Sequence, residues 1–262
     1  MHTVEERTWN EFWAKFWRVD HRHSIPHIHE WDKNLVEFIE HVCKLTPPMK
    51  ILDLACGGGD QARHFARKGY HVIGIDLAPS LVEYADTRSK TESLNAEFVA
   101  NDIYNIQYNK EFDACVVLGG SFGFHGPASD YELLENINRS LKPGGRLYIS
   151  FRTVDRLFGK SQVWYDTPQG WLLCEEIYDE ERKESSLNWY LVDSETRVIR
   201  FKNDSDSDFD RVIRCYTLDE MESMLTDAGF VSLDSYAGVE FTIPPKDYPP
   251  ERLRSIITGI KP

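Results

Sequence analysis

Ile51-Leu52-Asp53-Leu54-Ala55-Cys56-Gly57-Gly58-Gly59-Asp60 is the stretch that decides the fold. An apolar run is cut off by three glycines, and the next segment, Asp60 to Lys68, has helical spacing and stops at Gly69. This predicts a buried strand over Ile51 to Ala55, a tight turn, and a helix. The rhythm repeats outward. His71 to Asp76 reads as a second strand, Pro79 to about Arg88 as a helix with proline in its first turn, and Glu97 to Ala100 as a short third strand. Phe112 to Leu118 is the fourth strand, Asp130 to Leu141 a helix ended by Lys142-Pro143-Gly144-Gly145, and Arg146 to Arg152 the fifth strand. Strands alternating with helices at this spacing predict an α/β fold with a doubly wound, mostly parallel sheet.

Upstream, Trp9, Phe12, Trp13, Phe16 and Trp17 recur at helical spacing, and Leu35, Phe38, Ile39, Val42 and Leu45 form a second helical face that ends at Thr46-Pro47-Pro48. Residues 1–46 are expected to form an N-terminal helical lid with Trp13 over the substrate, although an aromatic stripe suits core packing equally. The core is expected over 47–152. From Trp171 to Tyr216 the pattern changes to strand-like runs such as Leu187 to Leu191 and Val198 to Phe201, predicting an antiparallel β insertion, 153–216, on the substrate side. Thr217 and Glu220 match a capping box for a helix that ends near Gly229. Phe230 to Tyr236 and Arg254 to Ile260 supply the last strands, so that 217–262 complete a seven-stranded sheet.

The 262 residues are 41% hydrophobic and 13% aromatic, enough to pack one large domain. Lys and Arg number 30 against 43 Asp and Glu, a formal charge of -13. A polyanion is repelled by such a field, and no basic stripe overrides it, so no nucleic-acid partner is expected. A small or cationic substrate fits better. Cys43, Cys56, Cys115, Cys174 and Cys215 are odd in number and never form C-x-x-C, which argues against a disulfide framework or a zinc knuckle. No apolar run approaches the roughly 20 residues of a membrane span, and charges interrupt Met1 to Trp17, so a cytoplasmic protein with no membrane partner is expected. His21, His23, His27 and His29 read as solvated histidines, and Asn203 to Asp208 as an acidic hairpin tip lacking the glycine and glutamate of a calcium loop. No metal is expected.

Glycines at 57–59 let a backbone approach a ligand without Cβ interference. Gly57, Gly59 and Ala62 also satisfy G-x-G-x-x-A, so an NAD(P)-dependent oxidoreductase competes. Charge separates the two readings. Asp60 is expected at the helix start, where it would cap the helix and repel a pyrophosphate, and Asp53 adds a second negative group. Such a site suits a ligand with an ammonium and a sulfonium. Asp76, at the tip of the second strand, accepts ribose hydroxyls in either reading.

The motifs together resemble the class I S-adenosylmethionine-dependent methyltransferase superfamily, from Ile51 to Pro262. Asp53-Leu54-Ala55-Cys56-Gly57-Gly58-Gly59 is similar to its first motif, with Ala55 in place of the first glycine, and Val72-Ile73-Gly74-Ile75-Asp76-Leu77 to its second strand and ribose-binding acid. Asn101-Asp102-Ile103 resembles the adenine contact, and Leu118-Gly119-Gly120-Ser121-Phe122-Gly123 the segment whose backbone faces the methionine part. Leu141 to Gly145 resembles the family's turn before the fifth strand, and Arg254 to Pro262 its antiparallel edge strand. The resemblance implies a Rossmann-like methyltransferase fold that binds S-adenosylmethionine across the ends of the first, second and fourth strands.

It further implies methyl transfer to a small molecule, N- or O-methylation, by in-line attack with the reacting groups held about 3 Å apart. No catalytic residue is obligatory. If a proton must leave, His125, Tyr165 and Tyr216 are the candidates, by position alone. Arg152, at the tip of the fifth strand, and Arg214 and Tyr216, alternating onto one strand face, are the expected acceptor contacts. Ser150 to Asp155 and Arg214-x-Tyr216 loosely resemble N-methyltransferases of amino acids or amino sugars. A homodimer through the β insertion stays open, as does a non-catalytic regulator that keeps the donor fold.

Overall fold

Alternation along the central strands sends apolar side chains to both faces, which is the pattern of a strand buried on two sides. In β2 (Lys50–Leu54) Ile51 faces one layer and Leu52 and Leu54 the other; in β3 (His71–Asp76) and β5 (Phe112–Val117) Val72, Ala114 and Val116 oppose Ile73, Ile75, Cys115 and Val117. The computed structural model describes residues 5–8, 28–154, 160–167, 170–202, 211–237 and 254–262. Helices α1 (Ile28–Cys43) and α2 (Asp60–Arg67) cover the first face, while α4 (Pro127–Ser140) and α5 (Leu218–Asp227) cover the second. Helix α3 (Pro79–Thr91) packs beside β3 and β4 (Ala96–Ala100).

The strand order is β4-β3-β2-β5-β6-β13-β12, with β6 at Leu141–Ser150, β12 at Val231–Ala237 and β13 at Arg254–Ile260. β4, β3, β2, β5 and β6 run parallel, and β13 is antiparallel to both β6 and β12. The expected seven-stranded doubly wound sheet is present. The Lys142 to Gly145 turn lies inside β6 as an irregularity, because the register with β5 slips between Phe112/Leu141 and Ala114/Arg146. The C-terminus locks that turn: Gly144 N donates to Lys261 O (2.8 Å), and Lys261 Nζ donates to Asn138 O and Leu141 O, each at 2.7 Å. The capping box at Thr217 and Glu220 forms as expected.

A second, mainly antiparallel sheet is built from β7 (Lys160–Thr167), β8 (Gly170–Asp179), β9 (Glu184–Asp193), β10 (Val198–Lys202) and β11 (Arg211–Arg214). Its first strand starts ahead of the expected Trp171. β1 (Glu5–Thr8) joins its edge, parallel to β10. Two parts of the N-terminal expectation therefore need correction. Residues 5–8 are a strand, and α1 buries Leu35, Val36, Phe38 and Ile39 with Ile51, Phe65 and Val116, so it belongs to the core rather than to a lid. The apolar face that ends at Leu45 is wide enough to cover an open sheet, and that burial decides its place. The aromatic segment Trp9 to Trp17, with Trp13, lies outside the described residues, as do His21, His23, His27 and the acidic run 203–208.

Candidate active site

The glycine turn after β2 opens onto a cavity of about 530 Å³ at the C-terminal ends of β2, β3 and β5. Where ligand meets backbone, Gly57 has φ +55° and a Cβ placed on it would meet no atom within 4 Å. That open side is a cradle for a ligand. Ala55, also at positive φ (58°), lines the same wall. Asp76 sits at its edge: Oδ2 accepts from Gly57 N (2.8 Å) and Oδ1 from Ala78 N (2.9 Å), so the carboxylate braces the turn and the start of α3 together. Leu77, Asp102, Ile103, Leu118 and Gly119 also line the cavity.

Two of the ten expected donor contacts do not reach it. Asp53 is buried within β2 and does not line the cavity; with Asp76 it helps burial push the Cys56 thiol up. Gly59 faces inward; a Cβ there would lie 2.7 Å from Phe98 and 2.8 Å from Ala85, so this glycine serves packing between α3 and β4. The electrostatic role expected of Asp60 is also corrected. It lines the cavity as the first residue of α2, with Gly59 in the cap position; it is buried in an ion pair with Arg63 (2.6 Å), whose Nη1 also holds Gly58 O at 2.7 Å. A carboxylate already paired with a guanidinium repels a pyrophosphate less than a bare one. The antiparallel β13, inserted between β6 and β12, is what sets this sheet apart from a dehydrogenase sheet.

On the far wall, Asp102 Oδ1 accepts from Tyr104 N (3.0 Å) and its Oδ2 lies 3.9 Å from His125 Nε2. The His125 ring stacks on Tyr104 at 4.2 Å, and both line the cavity with Phe124. The Tyr104 hydroxyl accepts from Phe124 N (3.2 Å) and donates to Asp130 Oδ1 (2.5 Å). Asp130 is fully buried, and its Oδ2 accepts from the Tyr216 hydroxyl at 2.5 Å. Burial raises the Asp130 carboxyl, and burial with that carboxylate pushes both tyrosines far above their ordinary range.

Tyr216 is therefore removed as a base and as an acceptor contact: it is 2% exposed, lies in the core, and already donates to a carboxylate. Arg214 is likewise removed. Its Nη2 pairs with Glu220 (3.0 Å), its Nη1 donates to the carbonyls of Lys183 and Cys215, and its guanidinium lies over the Tyr216 ring. The strand ends at Arg214 and Tyr216 lies beyond it, and of this stretch it is Ile213 that lines the cavity. The Tyr165 side chain lies outside the described residues. Arg152 does line the cavity, paired with Glu176.

Glu176 was missed, as were Trp31 on α1 and Cys174 and Trp189 on the second sheet. Val163, Cys174 and Trp189 stand in cross-strand register, as do Ser161, Glu176 and Leu187, so period 2 puts all six on one face. The alternation was visible in the sequence; which face meets the main sheet was not.

Residues 51–145 match the family described as a methyltransferase domain. The demethylmenaquinone methyltransferase of Thermotoga maritima is 37% identical over 123 residues, 46% of this chain and 49% of that protein. The chain thus spans about half the length of the curated relatives it matches first. Among solved structures, the CcbJ methyltransferase of Streptomyces caelestis superposes with a TM-score of 0.72 at 14% identity, over 97% of this chain and 95% of that one. CalS10, an amino pentose methyltransferase from Micromonospora echinaspora solved with S-adenosylmethionine bound, gives 0.64 at 17% identity, covering 89% and 91%. At those identities the two structures speak for the fold. Residues 51–145 are thus similar to a methyltransferase domain, and the chain as a whole has the Rossmann-like fold of these solved methyltransferases.

Proposed function

We propose that the protein transfers a methyl group from S-adenosylmethionine to a nitrogen or oxygen of a small polar molecule. The observation that carries this reading is one continuous space: the open Gly57 turn, Asp76 and Asp102 bound one end, and Gly119 and Gly120 are shared with a second lobe that contains Thr153 and Arg152. S-adenosylmethionine supplies an electrophilic methyl on a sulfonium. The chain's residues bind and orient: Asp76, on the cavity wall, presents its carboxylate to the ribose hydroxyls, and Asp102 with Ile103 offers an acceptor and an apolar surface to adenine. Gly119 and Gly120 present backbone where the two lobes meet, and such positioning supplies much of the rate for an in-line displacement. The Thermotoga maritima enzyme and CalS10 act, by their names, on demethylmenaquinone and an amino pentose, and a formal charge of -13 disfavours a nucleic acid. No described helix is long and apolar enough to cross a membrane.

His125 is the remaining described candidate for a base, and it lies on the Tyr104 side of the cavity. Position and proximity, rather than a dedicated base, carry this reading. Calorimetry with S-adenosylhomocysteine is the first test, with one site per chain expected. Mass spectrometry of a metabolite extract incubated with donor and protein is the second, with donor-dependent gain of one methyl expected. A folded protein that binds no S-adenosylhomocysteine sinks the reading.

A further inference from the structure

With methyl transfer as the reaction, the acceptor end of the cavity carries more than a size limit. A second lobe of about 420 Å³ adjoins the main cavity and shares Trp31, Gly119, Gly120, Arg152 and Glu176 with it. That volume is in the range of small-molecule sites, roughly 300–1,000 Å³. Among the described residues its wall holds one cation, Arg152, and one anion, Glu176; its other side-chain polar groups are uncharged, the hydroxyls of residues such as Ser150, Thr153 and Ser255 and the Trp31 indole.

The two charges come from different sheets. Arg152 follows β6, and its stem lies against the donor-side backbone: a Cβ on Gly120 would sit 3.5 Å from Arg152 Cγ. Gly120 N is held in turn by Ser150 Oγ at 3.2 Å. Glu176 is on β8 of the second sheet. Its Oε1 accepts from Arg152 Nη1 and from the Ser185 hydroxyl. The two side chains are only 30% and 18% exposed, so an unpaired charge at either would be costly.

An acceptor bearing only a carboxylate would have to take Arg152 from Glu176 and leave two anions facing one cation. An acceptor bearing only an ammonium creates the mirror problem. A molecule with both groups exchanges one internal pair for two ligand pairs, and every charge in the lobe stays compensated. Building on the proposed methyl transfer, we infer that the acceptor is a zwitterion, an ammonium and a carboxylate on one small molecule, with the carboxylate held by the Arg152 fork and the ammonium by Glu176.

The test uses the whole protein, S-adenosylmethionine, and three matched probe sets: the standard L-amino acids, their amides (ammonium only) and the corresponding α-hydroxy acids (carboxylate only). A metabolite extract is run in parallel, and each methylated product is sorted by the charges its parent carries. Methylated zwitterions are expected to dominate in both. With the best zwitterion found, R152Q and E176Q should each raise KM at least tenfold while the S-adenosylhomocysteine Kd stays within twofold. R152Q should narrow the discrimination against the amide, and E176Q that against the hydroxy acid, a reciprocal shift that a purely structural ion pair would not produce. Donor binding with methylation confined to singly charged or uncharged molecules, or with no zwitterion methylated, overturns the inference. So does an equal loss in both variants across all three probe sets. Failure of the wild type to bind S-adenosylhomocysteine removes the methyl-transfer reading itself.

Discussion

Ala55 holds φ at 58°, in the left-handed region where a Cβ costs about 1–2 kcal/mol, at the place where the resembling motif has glycine. Ala55→Gly relieves that strain and gives back about 0.5–1 kcal/mol through the freer unfolded chain. A small net stabilisation, up to about 1 kcal/mol, is expected in urea unfolding, with donor affinity unchanged. A clear destabilisation would show that the alanine methyl is needed for packing at the cavity wall. Asp76 has a double role, since its two oxygens hold Gly57 N and Ala78 N as well as facing the cavity. Asp76→Ala should weaken S-adenosylhomocysteine by about 1.5–3 kcal/mol in calorimetry and also cost stability, because a turn and a helix start lose their acceptors together. Unchanged affinity in the folded variant takes Asp76 out of the donor site.

Between elements, the Tyr104, Asp130 and Tyr216 network ties the turn after β4 to α4 and to the chain entering α5, and through Phe124 N it fixes the wall that carries His125. Burial raises the Asp130 carboxyl in the folded protein, so the unfolded chain releases this proton at lower pH. Over that interval the folded state binds more protons, and stability from this group falls as pH rises from the ordinary Asp range through the raised value. Asp130→Asn abolishes the titration but keeps only one of two acceptors, leaving a tyrosine hydroxyl to re-pair. A loss of about 1–3 kcal/mol is expected, with a flatter stability profile in the acid range, measured by urea unfolding across pH. An unchanged profile would mean that Asp130 does not titrate differently on folding. None of this was legible in the sequence: Asp130 read as a helix start and Tyr216 as a pocket residue, because the partners are 26 and 86 positions away in the chain. By contrast Ala55, Gly57, Asp76, Asp102 and Gly119 were legible, since a strand end and its turn already define which way the backbone opens.

At the scale of the molecule, the main sheet could be read because strands buried on both faces, such as Ala114 to Leu118, leave a continuous apolar run bounded by glycine. The second sheet could be recognised as a sheet but not oriented, since Cys174 and Glu176 are mixed in polarity on the very face that meets the cavity. That mixture has a physical reason. The sheet stands over a cavity instead of packing as a core layer: among the described residues, none of those clustered in the core on the two faces of the main sheet comes from 160–214. Its ends are also close together, with Thr153 bridged to Tyr216 and Val154 N donating to Tyr216 O at 3.2 Å. Replacing residues 155–214 by a flexible Gly/Ser linker of about eight residues, long enough to reverse the chain, should therefore leave a folded main sheet. S-adenosylhomocysteine affinity is expected to fall by no more than about tenfold, or roughly 1.4 kcal/mol, since Gly57, Asp76 and Asp102 are untouched while β11 no longer supports Gly123. Methyl transfer should be lost, because Glu176, Cys174 and Trp189 leave with the sheet and water enters the cavity. Circular dichroism, calorimetry and a product assay separate the outcomes. A molten product would make the second sheet part of the folding core, and full turnover would move the acceptor site elsewhere.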